Sequence, residues 1–187
     1  MCNPFCQVQN ERLGMPLPVP IEAGAESVRE ALAPLRNDFS IALWAPGNAF
    51  AVGAVIRVAH SYLAKEVFVV GGGGWYPKAS MGMHKYETIV QVDDTNGLLE
   101  ATAGRPLWVV EKEKARRSLH AVSGFPPGVV LVFGSERMGV PEEIVERADE
   151  VIAIPIYGVN NSLPLAVAAG IVMNEWARRR YVEGTVR

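Results

Sequence analysis

Residues 129–161 read VVLVFGSERMGVPEEIVERADEVIAIPIYGVNN, and this stretch decides the fold. Two apolar runs, VVLVF and VIAI, are separated by a glycine turn and by a short helical pattern that begins at Pro141. Continuous apolar runs are typical of strands that are covered on both faces, and strands that alternate with helices form parallel sheets. The stretch therefore predicts one β-α-β unit of an α/β protein.

The same alternation extends outward over most of the chain. Residues 1–22 are proline-rich and show no periodicity. The predicted strands are Phe39–Ala45, Glu66–Val70, Pro106–Glu111, Val129–Phe133 and Glu150–Pro155. The predicted helices are Glu26–Leu35, Phe50–Ala64, Glu113–His120, Pro141–Ala148 and Ser162–Tyr181, the last with Ser162 as its N-cap. We expect an N-terminal arm with a short helix over residues 1–38. One α/β domain, a mostly parallel sheet flanked by helices, is expected over residues 39–187.

Composition and charge limit the class of protein. The chain has 187 residues, of which 49% are hydrophobic and 20% charged, and this excludes a disordered chain. The longest uncharged apolar run, Leu163–Met173, is too short to span a bilayer, and no secretory signal precedes the domain, so we expect a cytoplasmic protein. A net charge of −2 does not favour a non-specific nucleic-acid binder, and Arg178–Arg180 is interpreted as a solvated helix face. The only cysteines, Cys2 and Cys6, have no histidine near them within the first 59 residues, so no metal site is predicted.

The common nucleotide-binding motifs are missing from the loops that follow the strands, where parallel sheets bind ligands. The run Gly71–Gly74 follows a strand, but Tyr76 takes the last glycine position of a G-x-G-x-x-G pattern, and no phosphate loop of the G-x-x-x-x-G-K-[ST] type occurs. A nucleotide-binding enzyme of another kind is therefore disfavoured.

The predicted helix Phe50–Ala64 carries an arginine away from its apolar stripe. Arg57 shares a face with Gly53 and Ser61, and the glycine one turn earlier leaves room for a backbone or a ligand to approach the guanidinium. By itself this pattern is more typical of a solvated surface arginine. The buried stripe is predicted to contain Val52, Val55, Ile56, Ala59 and Leu63.

Three segments, taken in order, change that interpretation. Asn48–Arg57, Leu131–Val140 and Ile154–Glu175 resemble the three motifs of the SpoU-type (TrmH-like) branch of the SPOUT RNA methyltransferases. Each motif is weak alone. Together they cover about residues 40–180 and each lies at a predicted strand-to-helix junction, which makes the resemblance specific.

The resemblance implies a SPOUT fold with a C-terminal deep trefoil knot, and a homodimer whose acceptor site is built from both subunits. It implies S-adenosylmethionine as the cofactor and a ribose 2′-hydroxyl of tRNA or rRNA as the acceptor. Arg57 would orient the acceptor and stabilise charge, while Asn48 and Glu136 would hold Arg57 and the loops in place. Gly134 would let the backbone approach the cofactor closely. The residues implied to bind the cofactor are Val110, Gly134, Ser135, Ile154, Ile156, Ser162 and Leu163.

Two positions depart from the family pattern. Ala51 stands where the family usually has a second asparagine, and Pro164 stands where it usually has asparagine after Ser-Leu. These departures keep open the alternative that the protein is a catalytically weak RNA-binding member of the same fold. Methylation of a base nitrogen, as in another branch of the superfamily, also stays open, although that branch's motifs match less well.

Overall fold

The structure is a computed structural model that describes residues 24–44 and 46–180. Its helices are α1 (Ala25–Leu32), α2 (Ala49–Ser61), α3 (Thr95–Ala101), α4 (Glu142–Arg147) and α5 (Leu165–Arg180). Its strands are β1 (Ser40–Trp44), β2 (Val67–Val70), β3 (Ile89–Val92), β4 (Leu107–Val110), β5 (Arg117–Ser118), β6 (Val130–Phe133) and β7 (Glu150–Ala153). No helix in the described ranges is long and apolar enough to cross a membrane. The proline-rich residues 1–22 of the predicted arm, with Cys2 and Cys6, lie outside the described residues.

The seven strands form one sheet in the order β3-β2-β1-β6-β4-β7-β5, and every neighbouring pair is parallel. The central strand is β6, which pairs with β1 so that Ser40 lies opposite Val130. The prediction of a parallel α/β sheet is confirmed. The five predicted strands all exist, and each agrees with its predicted range to within a few residues at either end.

Helices cover both faces of the sheet, because alternate strand side chains point to opposite faces. In β1, Ile41 and Leu43 belong to a core cluster shared with α2 and α5. Ala42 belongs to a second cluster, on the other face, that is shared with α3 and α4. Every residue of β2 and β6 is buried, as the continuous apolar runs predicted.

Ion pairs fix the last turns of α5. The buried Glu175 carboxylate accepts hydrogen bonds of 2.7 Å from Arg178 and Arg179. The hydrogen bond from Arg178 is the main reason why the pKa of Glu175 falls to about 2. The Arg180 guanidinium lies 3.2 Å from the Asp38 carboxylate and 4.8 Å from the centre of the Trp176 ring. The arginines interpreted from sequence as a solvated face are therefore ion-paired within the chain.

The predicted helix Glu113–His120 is wrong. The segment forms a turn and then β5, and the Arg116 amide donates a 2.8 Å hydrogen bond to the carbonyl of Val151 at the edge of β7. Between residues 113 and 118 the only apolar side chain is Ala115, so a helix here would have no face to bury against the sheet.

Sequence reasoning missed β3 and α3, which cross between β2 and β4. The β3 run, IVQV, is short and only half-buried at the sheet edge. The clearest local signal for α3 is Asp94, whose carboxylate caps the helix by accepting a 2.8 Å hydrogen bond from the Gly97 amide.

The last helix begins later than predicted, and Ser162 is not its N-cap. The first helical hydrogen bonds run from the amides of Val167 and Ala168 to the carbonyl of Pro164, at 2.9 and 3.0 Å. Proline disfavours helical backbone at the preceding residue, Leu163, and this holds the start of α5 at Leu165.

Candidate functional site

A cavity of about 460 Å³ opens beyond the carboxyl ends of β4, β6 and β7. Its walls are three loops: residues 111–114 after β4, residues 134–140 after β6, and residues 154–163 between β7 and α5. This is the edge of a parallel sheet at which ligands bind. The second and third loops belong to two of the three motifs that carried the family resemblance.

All seven residues implied to bind a cofactor line this one cavity. They are Val110, Gly134, Ser135, Ile154, Ile156, Ser162 and Leu163. Val110, Ile154, Ile156 and Leu163 are half-buried and give the cavity apolar walls, while Ser162 is exposed at its rim. The structure thus brings together residues from three separate stretches of the sequence.

The loop of residues 134–140 is a tight turn that closes on itself. The Gly139 amide donates to the Ser135 carbonyl at 2.9 Å, and the Met138 amide donates to the Ser135 hydroxyl at 3.1 Å. Gly139 adopts a left-handed backbone with φ of 65°, which glycine tolerates at little cost. Ser135 therefore shapes the loop in addition to lining the cavity.

The packing of the turn itself requires glycine at residue 134. A Cβ at this position would overlap the backbone of Gly139 and would lie 2.5 Å from the Val140 nitrogen. Within the chain, the close approach that needs glycine here is therefore between the two ends of the same turn.

Sequence reasoning missed Glu111, whose side chain contacts the end of this turn at Gly139 and Val140. Its carboxylate accepts hydrogen bonds from the Lys112 amide at 2.9 Å and from the Val140 amide at 3.4 Å. A Cβ on Gly139 would lie 2.7 Å from the Glu111 carboxylate oxygen. The available signal was its position as the first residue after a buried parallel strand.

A second missed contact joins two walls of the cavity. The Lys112 Nζ donates a 2.9 Å hydrogen bond to the Asn161 Oδ1, and both side chains are exposed. This bond links the loop after β4 to the loop before α5, at the rim of the cavity.

Glu136 connects all three motif regions, and it lies where Asn48 can reach it. One carboxylate oxygen accepts from the Asn48 Nδ2 at 3.3 Å, and the other accepts from the Leu165 amide at 3.2 Å. Asn48 in turn caps α2, because its Oδ1 accepts from the Ala51 amide at 3.1 Å. Glu136 thus joins the start of α2 to the start of α5, and it satisfies a helical amide that has no partner within α5.

Arg57 is exposed and lies off the buried stripe of α2, as the sequence predicted. The structure does not bring it to the cavity, whose lining residues in this chain do not include it. Nine residues separate it from Asn48, which corresponds to about 14 Å along the helix axis. Within the described residues Arg57 takes part in no ion pair.

No metal-binding cluster occurs in the part of the chain that the structure describes. Over residues 24–44 and 46–180, no three side chains of His, Cys, Asp or Glu are grouped so that they could hold a metal ion. Among these residues, the one pKa that departs by a large amount from its usual value is that of Glu175, which lies on α5 and does not line the cavity.

Comparisons with known proteins agree with the motif resemblance. The model of the SpoU rRNA Methylase family matches residues 38–174. The tRNA (guanosine(18)-2′-O)-methyltransferase of Aquifex aeolicus (strain VF5) is 28% identical over 169 residues, which are 88% of this chain and 80% of that protein.

Solved structures give the same result for the fold. The crystal structure of the A. aeolicus TrmH/SpoU tRNA modifying enzyme matches with a TM-score of 0.71 at 28% identity, over 83% of this chain and 82% of that one. The AdoMet-bound rRNA methyltransferase from Sinorhizobium meliloti matches with a TM-score of 0.69 at 24% identity, over 83% of this chain and 61% of that one. At this lower identity the likeness shows the fold alone.

Proposed function

Because the chain belongs to the SpoU rRNA Methylase family, we propose that it transfers the methyl group of S-adenosylmethionine to a ribose 2′-hydroxyl of tRNA or rRNA. The observation that carries this proposal is the cavity at which the loops after β4, β6 and β7 converge, lined by all seven implied residues. The A. aeolicus relative is named for the same reaction on a guanosine of tRNA. We assign the activity to residues 39–187, a range supported by the family match over 38–174, and we place such an RNA-modifying enzyme in the cytoplasm.

The cavity fits S-adenosylmethionine in size and in chemistry. Its volume of about 460 Å³ lies within the range of about 300–1,000 Å³ that is usual for small-molecule sites. The half-buried side chains of Ile154, Ile156 and Leu163 can contact a flat adenine ring, and the loop backbones supply amides and carbonyls for ribose and for the methionine tail. The bound cofactor supplies a sulfonium methyl group that is already activated, so the protein needs mainly to align it with the acceptor.

Arg57 positions the acceptor in this proposal. An arginine holds its proton too tightly to act as a general base. Its planar guanidinium can instead hold an RNA phosphate and stabilise the charge that develops as the 2′-hydroxyl loses its proton. The proton passes to phosphate or water. Asn48 and Glu136 act indirectly, by fixing the start of α2 against the cavity loops.

A homodimer is part of the proposal because one chain does not complete the site. Arg57 lies about 14 Å along α2 from Asn48, which is the part of α2 that contacts a cavity loop. A second copy that places its own α2 over the cavity would bring an arginine to the cofactor. In such a dimer, Arg57 can serve catalysis although it is exposed in the single chain and lies far from that chain's own cavity.

We also propose the deep trefoil knot that the family resemblance implies. Two contacts support it, because they fix the segment between β7 and α5 on both sides. Lys112 holds Asn161 from the loop after β4, and Glu136 holds the Leu165 amide from the loop after β6. A segment that runs between two other loops in this way is the arrangement that threading would produce.

One alternative has an observation in its favour. Pro164 has no backbone amide, and Ala51 offers no side-chain amide, so two polar groups are missing near the start of α5 and of α2. A protein that binds S-adenosylmethionine and RNA but transfers methyl groups slowly would fit these two positions.

Methyl transfer from radiolabelled S-adenosylmethionine to pools of unmodified tRNA and rRNA transcripts tests the proposal. We expect one cofactor site per chain by calorimetry, and a 2′-O-methylated nucleoside by mass analysis of digested product. Failure to bind either S-adenosylmethionine or S-adenosylhomocysteine at millimolar concentration would contradict the assignment as a methyltransferase. Binding of both ligands without turnover on any transcript would favour the weak RNA-binding alternative.

A further inference from the structure

Two aromatic side chains form an exposed stack at the start of α2. The rings of Phe50 and Tyr76 have their centroids 6.3 Å apart and an interplanar angle of 29°. Phe50 is 65% exposed and Tyr76 is 44% exposed. We call these two side chains the aromatic pair. Large apolar side chains are costly to leave in water, and a pair of them at one place marks a binding surface more often than isolated ones do.

The aromatic pair is held in place by backbone contacts. The Tyr76 amide donates a 2.8 Å hydrogen bond to the Ala49 carbonyl, in the first turn of α2. One turn further on, a Cβ on Gly53 would lie 2.5 Å from the Tyr76 carbonyl oxygen and 3.0 Å from the Ala79 Cβ. Gly53 therefore lets the loop after Gly74 lie directly on α2, and the two rings are presented by a fixed part of the fold.

The aromatic pair lies close in the fold to the residues of the proposed RNA site and to two exposed cations. Phe50 and Arg57 are seven residues apart, so they share one exposed face of α2 and are separated by about 10 Å along its axis. Two residues before Phe50, Asn48 contacts Glu136 at the cavity. Lys78, also exposed, follows Tyr76 by two residues. The two rings thus lie next to the helix end that meets the cavity, with one exposed cation further along the same helix face and another in the loop that carries Tyr76.

We infer that the aromatic pair stacks on a nucleobase of the substrate RNA, next to the nucleotide that is methylated; this inference rests on the proposed function. Bases of unpaired RNA are recognised by stacking on exposed aromatic side chains, and cations nearby contact the phosphates. Arg57, on the helix that carries Phe50, and Lys78, in the loop that carries Tyr76, supply such cations. The aromatic pair is a substrate-positioning element and does not touch the reacting atoms.

The test measures RNA binding and cofactor binding separately in the full-length protein. The probe is the transcript, from the pools above, that the wild-type protein methylates. Replacing one stacking side chain by a non-aromatic one weakens RNA binding by roughly 5- to 150-fold per stacked base. We therefore expect Phe50→Leu to raise the Kd and the KM for this transcript by about 10-fold, with single-turnover methylation at saturating RNA changed much less. Phe50→Trp restores the binding that Phe50→Leu loses, because only the former keeps an aromatic face.

Two further measurements distinguish base stacking from a general loss of apolar surface and from a loss of phosphate contacts. Leu35→Ala is the matched control, since Leu35 is a 40% exposed apolar side chain that lies on neither α2 nor the loop of Tyr76. It should leave RNA binding unchanged. The slope of log Kd against log salt should stay as in the wild type for Phe50→Leu, and should fall for a variant that removes a phosphate contact.

Three outcomes overturn the inference. One is a Phe50→Leu protein that binds the transcript within two-fold of the wild type. Another is a Phe50→Leu protein that loses its native oligomeric state, because the aromatic pair would then be an interface between two copies of the chain. The third is an equal loss for Phe50→Trp and Phe50→Leu. Each of these leaves methylation by the wild-type protein intact, whereas a wild-type protein that methylates no transcript contradicts the proposed function itself.

Discussion

Gly134→Ala should weaken cofactor binding strongly while the protein still folds. In the structure, a Cβ at residue 134 lies 2.5 Å from the Val140 nitrogen, while ordinary contacts begin near 3.4 Å. The turn of residues 134–140 must therefore open by about 1 Å, and overpacking of this kind costs roughly 1–3 kcal/mol of folding stability. A displacement of about 1 Å in an element that positions the reactants can lower the reaction rate by the order of 100-fold. We expect the Kd for S-adenosylmethionine to rise by at least about 10-fold by calorimetry, with a Tm lower by a few degrees.

Gly158→Ala provides the matched control for this variant. Gly158 lies in a different cavity loop, the one between β7 and α5, and a Cβ there meets nothing within 4 Å. This substitution should leave the cofactor Kd and the Tm close to the wild-type values. Wild-type cofactor affinity in Gly134→Ala would refute the reasoning, since the turn would then be either free to relax or unconnected with binding.

Three other predictions follow from the site and from the last helix. Arg57→Ala should lower single-turnover methyl transfer by at least about 100-fold while the Tm and the cofactor Kd stay unchanged, and Arg57→Lys should recover little of it; an active Arg57→Ala protein would contradict the role given to Arg57. Light scattering at micromolar concentration should report about twice 20.3 kDa, and a monomer would contradict the shared site. Glu175 has a pKa near 2 in the fold against 4.5 ordinarily, so its ion pairs stabilise the protein fully above about pH 4.5 and this contribution is lost as the pH falls towards 2. Denaturant titrations should show that Glu175→Gln loses about 1–2 kcal/mol at pH 7, after allowance for solvent screening at the exposed Arg178, and that the difference from the wild type shrinks below pH 4.

The fold class and the place of the cavity could be predicted because they depend on strong local patterns. The runs VFVV, VVLVF and VIAI are continuous and apolar, and buried parallel strands have this pattern. The carboxyl ends of parallel strands meet at one edge of the sheet, and two of the three motifs lie in loops that form the walls of the cavity at that edge. All seven implied cofactor residues accordingly line one cavity.

The contacts between loops could not be predicted, because they depend on tertiary geometry. Nothing local distinguishes Glu111 from any other acidic residue after a strand, yet its carboxylate supports the turn at Gly139 and Val140. The charged residues around Arg117 favour an exposed helix, whereas the pairing partner of this segment is the edge of β7, more than 30 residues later. Pro164 is a local signal against a helix that starts at Ser162, and it outweighs the capping tendency of that serine.

The order of the strands has a consequence for how the chain folds as it is synthesised. Strand β1 lies between β2 and β6, and its pairing with β6 joins residues 90 positions apart along the chain, Ser40 and Val130. At usual rates of translation, on the order of 10 s pass between the appearance of the two. During that interval the β1-β2-β3 part of the sheet has one apolar edge with unsatisfied backbone amides and carbonyls, which can pair with another nascent chain. Chains that end before Val130 should therefore aggregate, and the yield of native protein should depend on how quickly β6 reaches the open edge of β1.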